Sequence, residues 1–337
     1  MVKRVGYLMP RIANQENLKE AFLRAAKGRS GKRAVVNFRS RLDENIGDMH
    51  RRLLDGSFRF GRYQFFLIHD PKERRICAAS FPERVAFHAM MRICHPVFDN
   101  YQVADSYASR IGRGTYKALG RAQQFVRRYE WFAKLDVKDF FNSIDHDVLL
   151  RQLMRLFKDR QLLTYFRDLI DSYDGGNGRG VPIGNLTSQY FSNHYLAVAD
   201  RYLKEQIRVP AMVRYMDDTL IFGQDYHQVM EWVGAYRSFL SEHLHLELHT
   251  PIVNRCRMGV PFLGYVERRE GMRLTARSQR RFQRKMAALS SELDAGEISE
   301  EKYVQRAECL HSFIDKAHTA GFLRRMAHIK GVYPQGL

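Results

Sequence analysis

Paired cysteines and a long apolar run are both missing from this sequence. The chain has four cysteines in 337 residues, scattered over positions 77, 94, 256 and 309 with no C-x-x-C pair. This spacing indicates neither a zinc ribbon nor a disulfide framework and fits a reducing cytosol. The apolar run near the N-terminus is cut short by Pro10 and Arg11, too early for a signal peptide, and no stretch approaches the length of a bilayer span. We therefore expect a soluble cytoplasmic protein without membrane contact.

Acidic residues are also much fewer than basic residues. Lys and Arg number 55 against 37 Asp and Glu, which gives a formal charge of +18. Such a surplus repels itself unless a polyanion lies nearby, and nucleic acid is the polyanion we expect. A basic surface that is merely solvated, or that meets a membrane surface, is the alternative on charge alone. With 45% hydrophobic residues, the chain can bury a sizeable core in one large domain or in two or three subdomains.

Apolar periodicity predicts a mixture of helices and strands. Asn14 can cap a helix that ends at Gly28, and residues 63–69 form an aromatic strand before a basic run, 72–75, expected on a loop or fingertip. Residues 131–137 predict a buried strand that ends at Asp136. Two short β-rich runs flank Asp217-Asp218 as in a hairpin, and a third strand is expected to contain residues 262–266. From about residue 277 onward, apolar stripes predict helices with basic polar faces.

One acidic constellation has the spacing of a metal site. Transfer of a nucleotide to a 3′-hydroxyl uses two divalent ions about 4 Å apart, one activating the attacking oxygen and one holding the triphosphate. Mg²⁺ takes hard oxygen ligands and needs only one or two protein carboxylates beside phosphates and waters. Asp136 at a strand end and Asp217-Asp218, which begin 81 residues later, meet that requirement. An Asp pair in a turn is by itself ordinary turn chemistry, so its neighbours decide.

Those neighbours resemble a known family. The segments Phe132–Phe141 and Tyr215–Asp218 (YMDD) resemble motifs A and C of reverse transcriptases. Further resemblances follow in the family's order: Pro71-Lys72 with Arg74, Ser109-Arg110 with Gly112 and Gly114, residues 181–189 in the place of motif B, and Phe262–Tyr265 as the primer grip. The resemblance implies an α+β fold, a right-hand polymerase of fingers, palm and thumb with a ferredoxin-like palm and a helical thumb.

The same resemblance divides the chain and implies an activity. Residues 1–60 would form an N-terminal helical extension, 61–130 the fingers, 131–270 the palm, with part of the fingers returning near 150–185, and 271–337 the helical thumb. The implied reaction is RNA-directed DNA synthesis from deoxynucleoside triphosphates on a template RNA, with release of nascent cDNA. Two Mg²⁺ ions, for which Mn²⁺ can substitute, would be held by Asp136, Val137, Asp217 and Asp218.

The remaining site residues follow from the match. Lys72 and Arg74 would clamp the triphosphate, with Arg75 as an alternative donor, because charge-assisted contacts to phosphate orient the leaving group. Phe141 matches the gate that excludes a ribose 2′-hydroxyl, and adjacent Phe140 is the alternative. The other expected nucleotide contacts are Ile183, Gly184, Gln189 and Tyr215. The expected template and primer contacts are Arg110, Met216, Leu263, Gly264, Arg280, Arg281 and Arg284.

Two departures from the family pattern refine the resemblance. Motif B in many reverse transcriptases has Gln before its Gly and Pro after its Ser, where this chain has Ile183 and Gln189. The pattern IGxxxSQ resembles the enzymes of diversity-generating retroelements, which copy a template RNA with frequent errors opposite adenine and work with a small basic helical accessory protein. The motif D lysine expected after residues 246–248 is missing. His249 or Arg255 is its candidate replacement, or no side chain protonates the pyrophosphate.

Other functions compete with this interpretation. Stand-alone bacterial reverse transcriptases, some of them antiviral, share the same motifs. Retron enzymes are disfavoured because the NAxxH and VTG motifs are absent, and group II intron enzymes because nothing after Leu337 supplies DNA-binding and endonuclease regions. A catalytically inactive RNA-binding protein on a polymerase scaffold is opposed by the intact acidic trio, since buried carboxylates without a metal repel one another.

Overall fold

Four helices make up most of the N-terminal region in the computed structural model, which describes residues 3–69, 73–173, 175–315, 317 and 323. Its helices are α1 Met9–Ala13, α2 Gln15–Ala26, α3 Arg33–Arg39 and α4 Leu42–Leu54. Asn14 caps α2 as predicted, because its side chain accepts hydrogen bonds from the backbone amides of Glu16 and Asn17. The apolar face of α2, which includes Leu18 and Phe22, is buried in the main core.

A two-stranded hairpin and two helices follow. These elements are β1 Tyr63–His69, β2 Glu73–Ala79, α5 Phe81–Tyr101 and α6 Thr115–Arg128. The strands pair antiparallel, and Ser80 with Glu83 forms a capping box at the start of α5. The strand predicted at 63–69 is confirmed. The prediction that the basic run lies on a loop is corrected for Arg74 and Arg75, which lie within β2, and Lys72 lies outside the described residues.

The palm contains a four-stranded antiparallel sheet flanked by helices. In chain order its elements are β3 Trp131–Leu135, α7 Phe140–Ser143, α8 His146–Leu156, α9 Arg160–Asp171, α10 Leu186–Arg201, β4 Ala211–Tyr215, β5 Asp218–Gly223, α11 Tyr226–Leu244 and β6 Ile252–Arg255. A π-helical turn, Tyr202–Gln206, follows α10 directly. The strand order is β4-β5-β3-β6. This order, with helices between β3 and β4 and between β5 and β6, is the predicted ferredoxin-like arrangement.

A smaller sheet joins the palm to the C-terminal helices. It consists of β7 Val260–Phe262, β8 Tyr265–Arg268 and β9 Gly271–Leu274, followed by α12 Ala276–Asp294 and α13 Glu300–Ile314. The prediction of one strand over 262–266 is wrong. Leu263 and Gly264 have φ values of 48° and 90°, so the chain reverses there and forms a tight hairpin. The helical C-terminal region is confirmed as far as it is described.

The palm sheet is buried on both faces. Alternate residues of β3 point to opposite sides, so that Ala133 and Leu135 enter the core beneath α10 and α11, whereas Phe132 enters a second core. The second core includes residues of α6, the small sheet and α12. Since both faces are covered, only the strand ends of this sheet can meet a substrate. None of the described helices combines the length and apolar character that a membrane crossing requires.

Candidate active site

The three candidate carboxylates meet at one edge of the palm sheet. Leu135 of β3 lies opposite Thr219 of β5, so the next step along both strands sets Asp136 opposite Asp218. Residues directly opposite in an antiparallel pair have Cβ atoms about 4.5–5.5 Å apart and point to the same face. Asp217 lies in the turn between β4 and β5. The predicted hairpin and strand end are confirmed, and the sheet register brings the acidic residues to the same edge.

The turn that carries Asp217 is tight and strained. Tyr215 pairs with Asp218, which leaves only Met216 and Asp217 to reverse the chain. Met216 has a φ of 55°, in the left-handed region that a non-glycine residue occupies at a cost on the order of 1–3 kcal/mol. Arg214, which is fully buried in β4, donates a hydrogen bond of 2.9 Å to the Met216 carbonyl oxygen. That bond helps to hold the turn in its conformation.

Asp218 is both dehydrated and paired. Its carboxylate lies 3.0 Å from the Lys134 ammonium group, and its side chain is 19% exposed. Burial raises the pKa of Asp218 to about 6 against the effect of the Lys134 charge, and the Asp136 and Asp217 carboxylates raise it further. Its Oδ1 atom is buried without a hydrogen-bond partner in the described part of the chain. A buried acceptor that lacks a donor is a position that a cation would satisfy.

Asp217 faces the fingers. Burial raises its pKa, the Asp136 carboxylate adds to the rise, and the charge of Arg74 opposes it. Arg74 of β2 therefore lies near the acidic edge of the palm. Adjacent residues of a strand point to opposite faces, and Arg75 stacks its guanidinium group 4.0 Å from the centre of the Phe65 ring. Of the two predicted phosphate donors within β2, Arg74 is the one whose charge lowers the pKa of Asp217.

The donor set fits Mg²⁺. All three acidic side chains offer hard oxygen ligands, and Asp218 Oδ1 has no donor among the described residues. In the same residues, no three His, Cys, Asp or Glu side chains are gathered closely enough to hold a metal ion by themselves. Mg²⁺ completes its coordination with substrate phosphates and waters, so a site that closes around the substrate is consistent with this arrangement. Val137, the fourth predicted ligand, is buried and forms a backbone bridge with Leu248.

The two adjacent phenylalanines after Asp136 lie in different environments. Phe140 is 2% exposed and belongs to the apolar core. Phe141 is half-buried at the margin of that core, and its carbonyl oxygen accepts a 2.9 Å hydrogen bond from the Val181 amide of the motif B loop. Only Phe141 of this pair keeps enough exposed surface to contact a nucleotide sugar.

Motif B meets the fingers hairpin through its backbone. The Ile183 carbonyl oxygen accepts a 2.8 Å hydrogen bond from the Cys77 amide of β2. Gly184 follows with a φ of 110°, and a Cβ atom at this position would lie 3.0 Å from a methyl group of Ile76. The loop therefore requires glycine at the point where it contacts β2. Ile183 is half-buried at this junction between fingers and palm.

Gln189 and Tyr215 face the segment between α5 and α6. Gln189 is exposed on the first turn of α10, and its Oε1 atom accepts a 3.4 Å hydrogen bond from the Ser109 hydroxyl. Tyr215 ends β4, and its hydroxyl oxygen accepts a hydrogen bond of 3.2 Å from Thr115. Both predicted nucleotide contacts therefore lie where the palm adjoins the fingers.

Comparison with known families identifies the fold. The family model of reverse transcriptase (RNA-dependent DNA polymerase) matches residues 73–266, more than half of the chain. The chain belongs to the reverse transcriptase family. The matched range begins in β2 and ends in β8, so it includes the acidic edge, motif B and the primer-grip hairpin.

Several curated proteins are similar to part of this chain. The putative COX1/OXI3 intron 1 protein of Saccharomyces cerevisiae is 22% identical over 173 residues, 49% of this chain and 21% of that protein. Nuclear intron maturase 1, mitochondrial, of Arabidopsis thaliana is 30% identical over 95 residues, 27% of this chain and 13% of that protein. Protein YkfC of Escherichia coli is 25% identical over 146 residues, 40% and 38% of the two chains. The matches thus span well under half of each relative.

Solved structures with a related shape include two telomerases. Apo telomerase from Candida tropicalis, truncated from its C-terminal domain, has a TM-score of 0.49 at 10% identity, covering 63% of this reverse transcriptase and 55% of that chain. Telomerase from Candida albicans in complex with a TWJ fragment of telomeric RNA has a TM-score of 0.48 at 14% identity, covering 63% and 46%. These likenesses are too distant to carry an argument about function.

A basic groove lies along the thumb. Its volume is about 770 Å³, and its lining includes Leu263 and Gly264 from the β7–β8 turn and Arg280, Arg281 and Arg284 from α12. The three arginine side chains are exposed. The Gly264 carbonyl oxygen accepts hydrogen bonds from the Thr275 amide and the Ser278 hydroxyl, so the turn is fastened to the start of α12. The predicted primer grip and thumb contacts therefore share one surface.

Arg110 was expected to contact the template or primer, but its environment differs from that expectation. Its side chain is 8% exposed, and its guanidinium group forms an ion pair of 2.6 Å with Asp99. The same group donates hydrogen bonds to the backbone carbonyl oxygens of Val103 and Ser106. A guanidinium group that is buried and satisfied in this way braces the end of α5, so we withdraw Arg110 as a template contact.

The two candidates to replace the motif D lysine, His249 and Arg255, lie at opposite ends of β3. The His249 amide donates a 2.9 Å hydrogen bond to the Asp136 carbonyl oxygen, which places His249 beside the acidic edge. Arg255 pairs with Trp131 at the other end of β3 and stacks over its ring. Five residues of extended strand separate the two ends, roughly 17 Å. His249 is therefore the candidate that lies near the substrate position.

Sequence reasoning missed two residues that shape the site. Lys134 lies two positions before Asp136 on the same strand, so the two-residue period of a strand could have placed it on the face of Asp136. Arg214 is a lone charge within the apolar run Ala211–Tyr215, and a charge in such a run signals a buried partner. That partner is Asp200 on α10. Helix and strand patterns carry no information about this long-range pairing.

Proposed function

We propose that this chain is an RNA-directed DNA polymerase that makes cDNA by two-metal nucleotidyl transfer. The observation that carries the proposal is the acidic edge, at which burial and neighbouring carboxylates raise the pKa of Asp217 and of Asp218, and Asp218 Oδ1 has no donor among the described residues. Such an arrangement is costly unless cations complete it. The reverse transcriptase motifs around it agree with the proposal.

The carboxylates of Asp136, Asp217 and Asp218, together with Val137, would hold two Mg²⁺ ions, and Mn²⁺ could replace them. When bound, these ions activate a 3′-hydroxyl and neutralise the charge of a triphosphate. Arg74, whose charge already reaches Asp217, would bind the triphosphate from the fingers side. Lys72 is proposed as a second phosphate donor on the basis of the motif alone.

Primer extension tests the proposal directly. The wild-type chain should extend a DNA primer on an RNA template with deoxynucleoside triphosphates and Mg²⁺, and chelation of the metal should stop it. Asp217→Asn should abolish extension, because the substitution removes a ligand charge while keeping the shape of the side chain. RNA affinity of the same variant, measured by filter binding, should remain at the wild-type level. A wild-type chain that binds RNA but never extends a primer would favour the inactive RNA-binding function.

We further propose that the polymerase is error-prone at template adenines and serves a diversity-generating retroelement, with a small basic helical protein as its accessory partner. The motif B pattern, with Ile183 and Gln189, supports this candidate, and Ile183 lies half-buried where motif B contacts β2. A glutamine at this position could hydrogen-bond the correct substrate, whereas isoleucine offers only shape. One such hydrogen bond is worth on the order of 1 kcal/mol, a several-fold change in selectivity.

The substitution spectrum of the cDNA tests the finer proposal. Wild type, Ile183→Gln and Gln189→Pro should each copy a defined RNA, and the error rate opposite template adenine should fall by several-fold in the Ile183→Gln variant. Ile183→Val is the matched control, since it keeps the apolar character of the side chain, and it should retain the wild-type spectrum. Equal error rates in all four proteins would remove the assignment to diversity-generating enzymes and leave the polymerase assignment intact.

A further inference from the structure

A buried ion pair lies directly behind the catalytic turn. Arg214 of β4 and Asp200 of α10 are both 0% exposed, and their closest approach is 2.6 Å. The Arg214 Nε atom donates hydrogen bonds of 2.8 Å to the two carboxylate oxygens of Asp200. The pair therefore fastens the strand that leads into the turn to the long helix that follows motif B.

The rest of the Arg214 guanidinium group reaches a second residue of α10 and two further parts of the chain. Its Nη1 atom donates to the Asn193 side-chain oxygen at 2.8 Å and to the Met216 carbonyl oxygen at 2.9 Å. Its Nη2 atom donates to Gln102 and Ser106, each at 3.2 Å. One planar group thus links α10, the segment after α5 and the turn. The fixed fork of a guanidinium group permits this, whereas an ammonium group cannot span the same positions.

Stability alone does not explain such an arrangement. Burying two charges requires their dehydration, and replacing a buried ion pair by apolar residues of similar size is often neutral or stabilising. An apolar pair would, however, leave the Met216 carbonyl oxygen without its Arg214 donor. Met216 is the strained residue of the turn, with its φ of 55°, and Asp217 follows it directly.

We propose that Arg214 is a positioning residue, which holds the Met216 carbonyl oxygen and thereby sets the place of Asp217 for the transfer reaction. Asp200 and Asn193 orient the guanidinium group from α10, so the conformation of the turn is coupled to the helix that follows motif B. Arg214 contacts neither substrate nor metal. The inference rests on the proposed polymerase function. A misplacement of catalytic groups by about 1 Å can reduce a rate about 100-fold, which is the size of effect we expect.

The test is the double variant Arg214→Met/Asp200→Leu, which removes both charges and fills the space with apolar side chains. We expect its melting temperature to fall, because Asn193, Gln102 and Ser106 lose a hydrogen-bond partner. At a temperature where the variant is folded, its kcat for single-nucleotide incorporation should fall about 100-fold. The KM for the nucleotide and the affinity for primer and template should change by less than about threefold, because ground-state binding is not affected. A merely structural pair would lower stability and leave kcat unchanged.

A neighbouring pair provides the matched control. Arg201 and Glu205 form an ion pair of 2.8 Å beside Asp200 without contacting the turn, so Arg201→Met/Glu205→Leu should keep wild-type kcat. If the first double variant does not fold, Arg214→Lys takes its place, since it keeps the charge opposite Asp200 but cannot also reach Met216. A wild-type kcat in whichever variant is measured would overturn the role of Arg214. Inactivity of the wild-type chain itself would instead contradict the proposed function.

Discussion

The acidic edge of the palm and the basic groove of the thumb meet their expected ligands in different ways. At the acidic edge, strand register, the Lys134 ion pair and the buried Arg214 fix the positions of dehydrated carboxylates. In the groove, the arginines of α12 are exposed on one side of a helix. Metal-assisted transfer depends on sub-ångström geometry, whereas phosphate charge can be met by long side chains in water. Changes at the edge should therefore reduce rate, and changes in the groove should reduce salt-sensitive affinity.

The largest effect should come from Asp136. Asp136→Asn removes the charge of a proposed metal ligand, and we expect the rate of single-nucleotide incorporation, measured by rapid quench, to fall about 1,000-fold or more. The affinity for primer and template should not change. Asp139→Asn is the control in the same segment, because Asp139 is exposed and its side chain contacts only Asn142 among the hydrogen-bond partners described. An Asp136→Asn rate close to that of wild type would contradict the assignment of the acidic edge.

Removing the positive charges of the thumb groove should reduce affinity without reducing the rate, which is the reverse of the effect expected at the acidic edge. The triple variant Arg280→Gln/Arg281→Gln/Arg284→Gln should lose affinity for primer and template while keeping its incorporation rate at saturation. The plot of log affinity against log salt should flatten by about 2–3 units, since each lost phosphate contact removes about 0.7–0.9. Exposed arginines of α8 and α9 supply a charge-matched control, Arg151→Gln/Arg155→Gln/Arg167→Gln. An unchanged slope in the thumb variant would mean that its arginines are merely solvated.

Within the palm, truncation of Phe141 and truncation of the adjacent Phe140 should have different effects. Phe141→Ala should admit ribonucleotides and reduce discrimination against them by about 10- to 100-fold, because a steric gate is worth roughly 1–3 kcal/mol. Phe140→Ala should instead lower the free energy of unfolding by about 3–5 kcal/mol and leave sugar selectivity unchanged. Steady-state incorporation of both sugar types and chemical denaturation measure the two outcomes. Unaltered sugar selectivity in Phe141→Ala would remove Phe141 as the gate.

The sequence predicted the elements whose signals are local. The Asp217-Asp218 hairpin, the strand before Asp136 and the cap at Asn14 were all found, because alternation, turn residues and capping residues lie within a few positions of one another. The β7–β8 hairpin was missed, since Leu263 gives no sign of the left-handed conformation that reverses the chain. Leucine rarely adopts that conformation, so a continuous strand was the better expectation from residue type.

Ion pairs between residues far apart in the sequence account for the other differences between the sequence predictions and the structure. Arg110 and Arg214 are both buried arginines. The apolar run around Arg214 signals its burial but not its partner, and no such run surrounds Arg110. Each is buried because an aspartate elsewhere in the chain neutralises it, Asp99 for the first and Asp200 for the second. The choice between Arg74 and Arg75, by contrast, follows from strand alternation once their strand is known. The roles of these side chains in nucleotide binding stay predictions.

The smallest expected effect is on stability and arises in the small sheet that joins the palm to the C-terminal helices. Glu267 of β8 is fully buried, neither of its carboxylate oxygens has a hydrogen-bond partner in the described part of the chain, and burial raises its pKa to about 7. The folded state thus holds its proton more tightly than the unfolded state. The free energy of unfolding should fall as the pH rises from about 4.5 to about 7, by about 3 kcal/mol from this residue, and then level off.

Glu267→Gln should remove that part of the pH dependence, since the amide does not titrate. Denaturant midpoints of wild type and Glu267→Gln across this pH range give the contribution as a difference, which cancels the titration of other groups. The variant should gain stability relative to wild type as the pH rises, with little change in kcat. A constant difference between the two proteins at every pH would show that Glu267 titrates normally in the folded state.

The most direct test of the acidic edge is a count of metal ions. A complex of the chain with an RNA template, a chain-terminated DNA primer and the next deoxynucleoside triphosphate can be titrated with Mn²⁺, and bound Mn²⁺ counted by electron paramagnetic resonance. We expect two tightly bound ions in this complex, of which the nucleotide alone holds one, and the loss of at least one in Asp217→Asn. Equal Mn²⁺ binding by wild type, Asp217→Asn and Asp136→Asn would contradict the assignment of these carboxylates as the metal site.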